Sequence, residues 1–487
     1  MLSHTHHISQ EMKVKARGCT ASPAPSPARP APQGCNTSDT MDPRQSGPCE
    51  QVDHLQQLRA LLSSLYNSQD LSDLLIMVNG SLSVHCHRLL LAAQSSVFKT
   101  MLSSRRWPEA QQQTISLTEE EQCLPYFEDF LRYFYSGALT LSTDNALPVG
   151  MLADKYNVVS LKKCCEEFMV KNVATPGKCN RAIQWRQYAK LADLAELKEA
   201  CDRFIAWNMD TVICSPVWRS IDSAYLCDLL QRSDLVVESE MTLLKAAVDW
   251  LDEHPDQCSN MLQHIRYPMI QASQLFQYNA SHTAEKPVNL YIQSKSLLIY
   301  QVNSVPLDIL KSSYDINSPQ FSMRFYKSIN NGNTWEISRY QSQQKIEHQI
   351  KFTTRLLEAE CNWSLKIYPK GERVTVQEPQ YSAVKSYYNQ SLGYVQRVVK
   401  DTDDVAIAWT VENCRMTQSP HKHRLIVLLQ KFHNGEFFVT DVRDTFDSVP
   451  GCEYKIEDLI PESELQQYVS SDTLRLHFIG QTVWEVD

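Results

Sequence analysis

The spacing of hydrophobic residues changes near residue 281, and this change restricts the folds open to the chain. From about residue 178 to residue 280, apolar residues recur at helical intervals, as in MTLLKAAVDWL, where Met241, Leu244 and Leu251 share a face. Farther on, apolar and polar residues alternate, as in TLRLHFI, where Leu474 and Leu476 share a face. Alternation with a period of two is typical of strands. Many short alternating segments with few helices predict an antiparallel β-sandwich behind an all-helical module.

The part of the chain ahead of the helical module combines strand and helix signals. Two short apolar runs flank Asn79-Gly80, a dipeptide that supplies the positive φ angles of a two-residue hairpin turn. A leading helix precedes them, with Leu58 and Leu62 on its apolar stripe, and a later aromatic helix ends at Gly137, a residue suited to a C-terminal cap. This region therefore predicts an α/β domain.

Length and composition divide the chain further. A chain of 487 residues is too long to fold around one hydrophobic core and should form about three domains of roughly 100–200 residues. The first 50 residues carry ASPAPSPARPAPQG and lack the large apolar groups that a core requires. The expected segments are a disordered Pro/Ala/Ser-rich tail at 1–50, the α/β domain at 51–175, the helical domain at 176–282, a linker at 283–320 and the β-sandwich at 321–487.

The sequence predicts neither catalysis nor a cofactor. The common hydrolase, nucleotide-binding, zincin and Cys-x-x-Cys redox motifs are absent, and His85-x-His87 has no third metal ligand nearby in the sequence. A net charge of -9 disfavours nucleic acid as a partner. No apolar stretch approaches the ~18 residues that would span a membrane. We therefore expect a protein that binds other proteins.

Cysteines and glycosylation sequons point to different compartments. The fifteen cysteines lack paired spacing, which favours reduced, buried thiols and, with no signal-like apolar run near Met1, a cytoplasmic protein. Sequons nevertheless occur at Asn279, Asn362 and Asn389, among others. They matter only if the chain enters the secretory pathway, so a secreted protein is retained as the alternative.

Residues 54–172 closely resemble a BTB/POZ domain through LSDLLIMV, VHCHRLLLAAQSSVFKTML, LRYFYSGAL and LADKYNVVSLKKCCEEF. The resemblance implies a homodimer in which the leading helix, with Leu58 and Leu62, packs against its twin and Asp73 lies near the dimer groove. An amphipathic helix outside a compact unit independently favours a two-fold partner. The alternative is that this helix folds back on its own domain.

The following segments resemble a BACK domain through CNRAIQWRQYAKLADLAELKEACDRFIAWNM and LLQRSDLVVESEMTLLKAAVDWL. Within that family, FIAWNM and IRYPMIQASQLFQY resemble the branch that includes galectin-3-binding protein. The end of the chain resembles a MATH/TRAF sandwich through NWSLKIYPKGE and YKIEDLIPESELQQYVSSDTLRLHFIG. That sandwich comes last here, unlike in MATH-first adaptors, so their groove residues are not transferred.

In SSRRWPEAQ, Trp107 and Glu109 match the hydrophobic-x-Glu pattern that the BTB resemblance associates with cullin-3 binding. An aromatic anchor beside a carboxylate is also a reasonable binding hot spot, although a loop tryptophan tucked against its own domain explains the pattern equally well.

Two functions follow. One is a non-catalytic homodimeric adaptor, with cullin-3 as one partner and an unknown protein or peptide at the sandwich as the other. The alternative is a secreted glycoprotein scaffold of the galectin-3-binding type that uses the same dimer for assembly.

Overall fold

The structure, a computed structural model, describes residues 53–104, 106–174, 179–282, 286–328, 332–343, 345–354, 359–371, 374–380, 393–400, 404–412, 421–433, 435–446 and 452–484. The expected tail at 1–50 lies outside these residues. The chain divides into two compact units: the first ends at Asn172 and includes Leu191–Leu194, and the second comprises Val173–Lys190 and the chain from Ala195 onward. Within the described residues, no helix is long and apolar enough to cross a membrane.

The first unit is an α/β domain. Its helices are Leu55–Ser64 (α1), Arg88–Gln94 (α2), Ser96–Ser103 (α3), Leu124–Ser136 (α4), Ala146–Lys155 (α5) and Val159–Asn172 (α6). Its strands are Leu74–Val78 (β1), Leu82–Cys86 (β2) and Thr114–Leu117 (β3). β1 lies in the middle of the sheet, antiparallel to β2 and parallel to β3.

The turn residues predicted in this unit have the expected backbone conformation. Asn79 and Gly80 have φ angles of 45° and 69° in the connection from β1 to β2. Because Val78 pairs with Leu82, that connection has three residues rather than the expected two. Gly137 caps α4 at φ 62° and donates its N–H to the carbonyl of Tyr133. The aromatic face of α4 is buried as expected, with Phe127 and Phe134 almost inaccessible to solvent.

The second unit begins with helices. Their bounds are Cys179–Ala192 (α7), Ala195–Trp207 (α8), Met209–Ile213 (α9), Ser223–Gln231 (α10), Glu240–Leu251 (α11), Cys258–Leu262 (α12), Ala272–Ser281 (α13), Pro287–Ser294 (α14), Ser296–Ser304 (α15) and Leu307–Ser313 (α16). Trp218 and Trp250 are buried in their core, and the indole N–H groups donate to the carbonyls of Ala246 and Ile221. This confirms the helical domain that periodicity predicted, although the region also contains a two-residue strand at Val236–Val237.

The expected linker at 283–320 is instead largely helical, because α14, α15 and α16 fall inside it. Pro287 begins α14, where a missing N–H costs nothing. Val288, Ile292 and Ile299 then recur at helical spacing and enter the same hydrophobic core as Trp250. The helical domain therefore continues beyond residue 282.

Strands dominate the remainder. Ahead of it, the two-residue strand Val236–Val237 (β4) lies between α10 and α11. The strands of the remainder are Phe325–Tyr326 (β5), Gly332–Ser338 (β6), Ile346–Thr354 (β7), Ala359–Tyr368 (β8), Val374–Gln380 (β9), Gly393–Lys400 (β10), Val405–Glu412 (β11), His421–His433 (β12), Glu436–Phe446 (β13), Tyr454–Ile460 (β14), Val469–Ser470 (β15) and Thr473–Trp484 (β16), with a short helix at Glu462–Leu465 (α17). One sheet has the order β14-β11-β8-β7; the other has β13-β12-β16-β15, with β6 also paired to β16. All pairings in both sheets are antiparallel.

The two sheets share one hydrophobic core. Trp363 and Trp409 contribute from the first sheet, and Leu474, Leu476 and Phe478 contribute from the second. Alternation along β16 therefore predicted its buried face correctly. The antiparallel strand-rich region that the sequence predicted is confirmed.

The helices and strands of the second unit are joined by buried polar contacts. Asn208 acts as a strand partner: its side-chain N–H donates to the carbonyl of Val439, and its oxygen accepts the N–H of Val439, each over 2.8 Å. Phe204 stacks on Phe438 beside this pair, and β4 pairs in parallel with β5. Helices and strands thus share an interior.

Candidate functional site: a protein-binding surface on the first unit

The leading helix α1 presents an uncovered apolar face. None of its residues is buried: Leu55, Leu58 and Leu61 are 69%, 54% and 60% exposed, while Leu62 is half-buried. Just after the helix, Tyr66 donates its hydroxyl to the carbonyl of Glu128 on α4. The helix is thus anchored at its end while its leucines face outward, and exposed apolar patches on folded domains commonly mark binding surfaces.

Asp73, which was expected near a dimer groove, has partners within its own chain. Its carboxylate accepts the backbone N–H of Arg88 over 2.8 Å, and its carbonyl accepts the Nε of the same arginine over 3.4 Å. The residue therefore supports the first turn of α2. Its assignment to a dimer interface stays a prediction.

The loop after α3 contains the predicted cullin contact. Pro108–Ala110 form a short 3-10 turn in which Ala110 donates to the carbonyl of Trp107. Trp107 and Glu109 are each half-buried. Glu109 Oε2 is shielded from solvent and has no hydrogen-bond partner among the described residues. A buried acceptor without a donor costs about 1–3 kcal/mol, so this oxygen would gain from a partner that donates a hydrogen bond.

Arg88 organises that loop, and the sequence reading missed it. Its guanidinium donates to the carbonyls of Leu102, Glu109, Ala110 and Gln112. These acceptors lie 14 to 24 residues away in the chain. No spacing rule connects one arginine to distant carbonyls, so only the structure could identify the contact.

The His85-x-His87 pair has other partners. His87 is buried, and its Nδ1 lies 3.0 Å from the hydroxyl of Tyr135, which also accepts the backbone N–H of His87. His85 contacts the hydroxyl of Ser72 through its Nδ1 over 3.5 Å. The two rings thus serve different local contacts rather than one site.

The sequons occupy different environments. Asn362 lies on β8 between the buried residues Cys361 and Trp363, so its half-exposed side chain is on the outer face of the sheet. Asn279 is half-buried on α13, and its amide lies 3.4 Å from the hydroxyl of Ser296. Asn389 lies outside the described residues. The prediction that these sites carry glycans only in a secreted protein stays open.

One cysteine departs from the expectation of reduced thiols. Cys361, buried in the sandwich core, is disulfide-bonded. By contrast, Cys86, Cys123, Cys165 and Cys201 are unpaired and buried. Burial raises the pKa of each of these four thiols to about 12, so they are protonated and unreactive at neutral pH.

The N-terminal and central domains match two family models. The BTB/POZ domain model matches residues 62–173, and the model described as BTB And C-terminal Kelch (BACK) matches residues 182–280. Both ranges fall inside the domains expected from the sequence. Neither model describes an enzyme family.

Curated relatives extend the similarity over most of the chain. BTB/POZ domain-containing protein 17 of Xenopus tropicalis is 26% identical over 452 residues, which cover 89% of this chain and 92% of the relative. Its Homo sapiens counterpart is 33% identical over 296 residues, 59% of this chain and 60% of the relative.

Galectin-3-binding protein of Mus musculus is 26% identical over 296 residues, 58% of this chain and 51% of the relative. The chain thus carries a BTB/POZ domain followed by a BACK domain, and over most of its length it is homologous to BTB/POZ domain-containing protein 17.

Proposed function

We propose that the chain is a non-catalytic homodimeric adaptor that pairs through α1 and presents the loop after α3 to cullin-3. The observation that carries the dimer is the row of exposed leucines on α1, at positions 55, 58 and 61. BTB and BACK domains point to a protein-interaction adaptor. A second copy would cover this apolar stripe by two-fold symmetry.

The loop supports the cullin-3 part of the proposal. Trp107 offers an aromatic surface, and the half-buried Glu109 has a shielded carboxylate oxygen without a donor among the described residues, which a partner could satisfy on reaching it. Aromatic anchors beside satisfied polar contacts are the usual hot spots of protein interfaces. A partner with an apolar cleft next to a hydrogen-bond donor would match this pair.

The strand-rich region is proposed as the target-binding module, with a MATH/TRAF-like fold. Two packed antiparallel sheets and the α17 turn ahead of the last long strand support that fold. Phe432 and Phe446 expose 44% and 47% of their surface on β12 and β13, which provides aromatic contact area for a protein or peptide. Two copies in a dimer would bind clustered targets with higher avidity.

Dimerisation is tested by the mass of the full chain in solution, measured by light scattering. Wild type should have twice the mass of one chain, and Leu58→Glu should have the mass of one chain, because two carboxylates would be buried at the two-fold contact. Val159→Glu is the matched control, since Val159 is 67% exposed at the start of another helix of this unit. A monomeric wild type would disprove the proposed dimer.

Cullin-3 binding is tested with the purified wild-type dimer by titration calorimetry. Trp107→Ala and Glu109→Lys should each abolish or greatly weaken binding while the protein keeps its dimer mass. A folded wild-type dimer that does not bind cullin-3 would remove this part of the function and leave the dimer itself standing.

A second candidate function is an assembly scaffold in an oxidising compartment. The disulfide at Cys361 favours it, because structural disulfides persist mainly outside the cytosol. The exposed free thiols of Cys164, Cys214 and Cys452 oppose it. Peptide mass spectrometry of the protein isolated from its cells distinguishes the two: glycans on Asn279, Asn362 or Asn389 would exclude the cytoplasmic adaptor, and a reduced Cys361 without glycans would exclude the scaffold.

A further inference from the structure

Arg88 joins two parts of the first unit that are distant in sequence. On one side, its backbone N–H and Nε donate to Asp73. On the other side, Nη1 lies 3.4, 3.3 and 3.4 Å from the carbonyl oxygens of Leu102, Glu109 and Ala110, and Nη2 donates to the carbonyl of Gln112. One side chain therefore contacts the last turn of α3, the 3-10 turn at Pro108–Ala110 and the residue Gln112 that follows it.

The chemistry of these contacts favours arginine specifically. Carbonyl oxygens at a helix end and in a short 3-10 turn lack the regular partners of a longer helix and need other donors. A guanidinium offers five N–H donors in a rigid plane, whereas a lysine offers a compact charge with three donors on a flexible stem. A lysine at position 88 could satisfy only part of this carbonyl set.

Asp73 contacts Arg88 on the side away from the loop. Its carboxylate accepts the backbone N–H of Arg88 and so fixes the start of α2, and its backbone carbonyl accepts the Nε–H of the arginine side chain over 3.4 Å. These contacts lie within one chain, and the expected place of Asp73 near a dimer groove stays a prediction beside them.

We propose that Arg88, held by Asp73, is a positioning residue that keeps the loop at residues 106–112 in its binding conformation. The link to cullin-3 rests on the proposed function, but the effect on the loop does not. When Arg88 is in place, the turn at Pro108 keeps Trp107 and Glu109 half-buried. The Oε2 atom of Glu109 then has no hydrogen-bond donor among the described residues. When Arg88 is removed, the loop samples other conformations, and the partner must order it again on binding.

Hydrogen exchange of the free, full-length protein tests the loop itself. The amides of Ala110 and Gln111 report on it, because they donate to the carbonyls of Trp107 and Pro108 over 3.1 Å. In Arg88→Lys and Arg88→Ala, we expect exchange in the 103–113 peptide to accelerate by about tenfold, which corresponds to about 1.4 kcal/mol. Asp73→Ala should give a smaller acceleration, and peptides elsewhere should be unchanged. Arg132→Ala is the control, because Arg132 is an exposed arginine of the same unit that pairs with Asp129.

Two further readouts separate positioning from folding and from dimerisation. Arg88→Lys should weaken cullin-3 binding by about tenfold while the dimer mass stays at the wild-type value. Unchanged loop exchange in Arg88→Lys and Arg88→Ala would overturn the proposal. If Asp73→Ala loses the dimer while hydrogen exchange in the loop is unchanged, Asp73 acts at the dimer groove and does not hold Arg88. If wild type does not bind cullin-3, the adaptor function fails, and the exchange experiment still decides the role of Arg88.

Discussion

His477 is a buried histidine in the middle of β16. Its Nδ1 lies 2.6 Å from the hydroxyl of Thr334, and its Nε2 is buried without a hydrogen-bond partner among the described residues. Burial, together with the positive charges of Lys327 and Arg475, lowers the pKa of the ring to about 4. The folded protein therefore holds this histidine neutral at pH values where an unfolded chain would protonate it.

This residue predicts acid sensitivity of the second unit. Between pH 6.5 and pH 4, His477 is protonated in the unfolded state but still neutral in the folded state. The free energy of unfolding therefore falls as the pH falls. His477→Asn should reduce that fall by about 2–3 kcal/mol. Urea unfolding at pH 7, 5.5 and 4.5 measures the difference, with the exposed residue His54 changed to Asn as the control. Equal pH dependence in wild type and His477→Asn would contradict the prediction.

At the scale of elements, a buried charged network joins α11 to β5. Arg324 and Glu240 are completely buried and form an ion pair over 3.0 Å, and Tyr326 donates its hydroxyl to the same carboxylate over 2.6 Å. The other carboxylate oxygen accepts the backbone N–H of Arg266. Burial and the charge of Arg324 lower the pKa of Arg266 to about 10, so Arg266 stays charged at neutral pH.

Removing one member of this network should be costly. Glu240→Ala leaves the buried guanidinium of Arg324 without its carboxylate, and we expect the free energy of unfolding of the second unit to fall by about 3–5 kcal/mol. Arg219→Ala is the matched control, because its ion pair with Asp249 is exposed to solvent and its loss should change stability little. Thermal and urea unfolding of both variants provide the comparison. If the free energy of unfolding falls by similar amounts in the two variants, the buried network stabilises the protein no more than the exposed ion pair does.

At the scale of the whole molecule, the helical domain is incomplete without the strands that follow it. Tyr326 and Phe438 belong to the same hydrophobic core as Trp250, and Arg324 neutralises Glu240. A chain cut after residue 320 would expose part of that core and remove Arg324 from the carboxylate of Glu240. The helical and strand-rich regions should therefore fold as one cooperative unit.

Truncation tests this cooperativity. A fragment of residues 53–174 should fold alone, because the first unit has its own sheet and aromatic core. A fragment of residues 173–320 should fail to melt cooperatively, and one of residues 173–487 should melt in a single transition. Circular dichroism during heating measures all three. Cooperative melting of the 173–320 fragment would show that the helical domain is independent.

Local sequence patterns are sufficient to predict much of the architecture. The turn at Asn79-Gly80, the cap at Gly137 and the buried face of β16 all follow from backbone preferences and short periodicities. The exposed leucines of α1 also follow from such a stripe. Local patterns fail where the structure depends on distant partners. They predict a linker where helices begin at Pro287, because the hydrophobic core that these helices enter is formed by other segments.

By itself, the sequence determined the order of the domains and the identity of the BTB and BACK regions, because local periodicity and family motifs are written in consecutive residues. Only the tertiary structure decided which polar groups meet. Arg88 reaches carbonyls up to 24 residues away, Glu240 meets Arg324 across 84 residues, and Asn208 pairs with Val439 across 231. Such contacts depend on how whole helices and strands pack. A buried charge or amide needs a hydrogen-bond partner, and the packing determines which residue lies close enough to provide it.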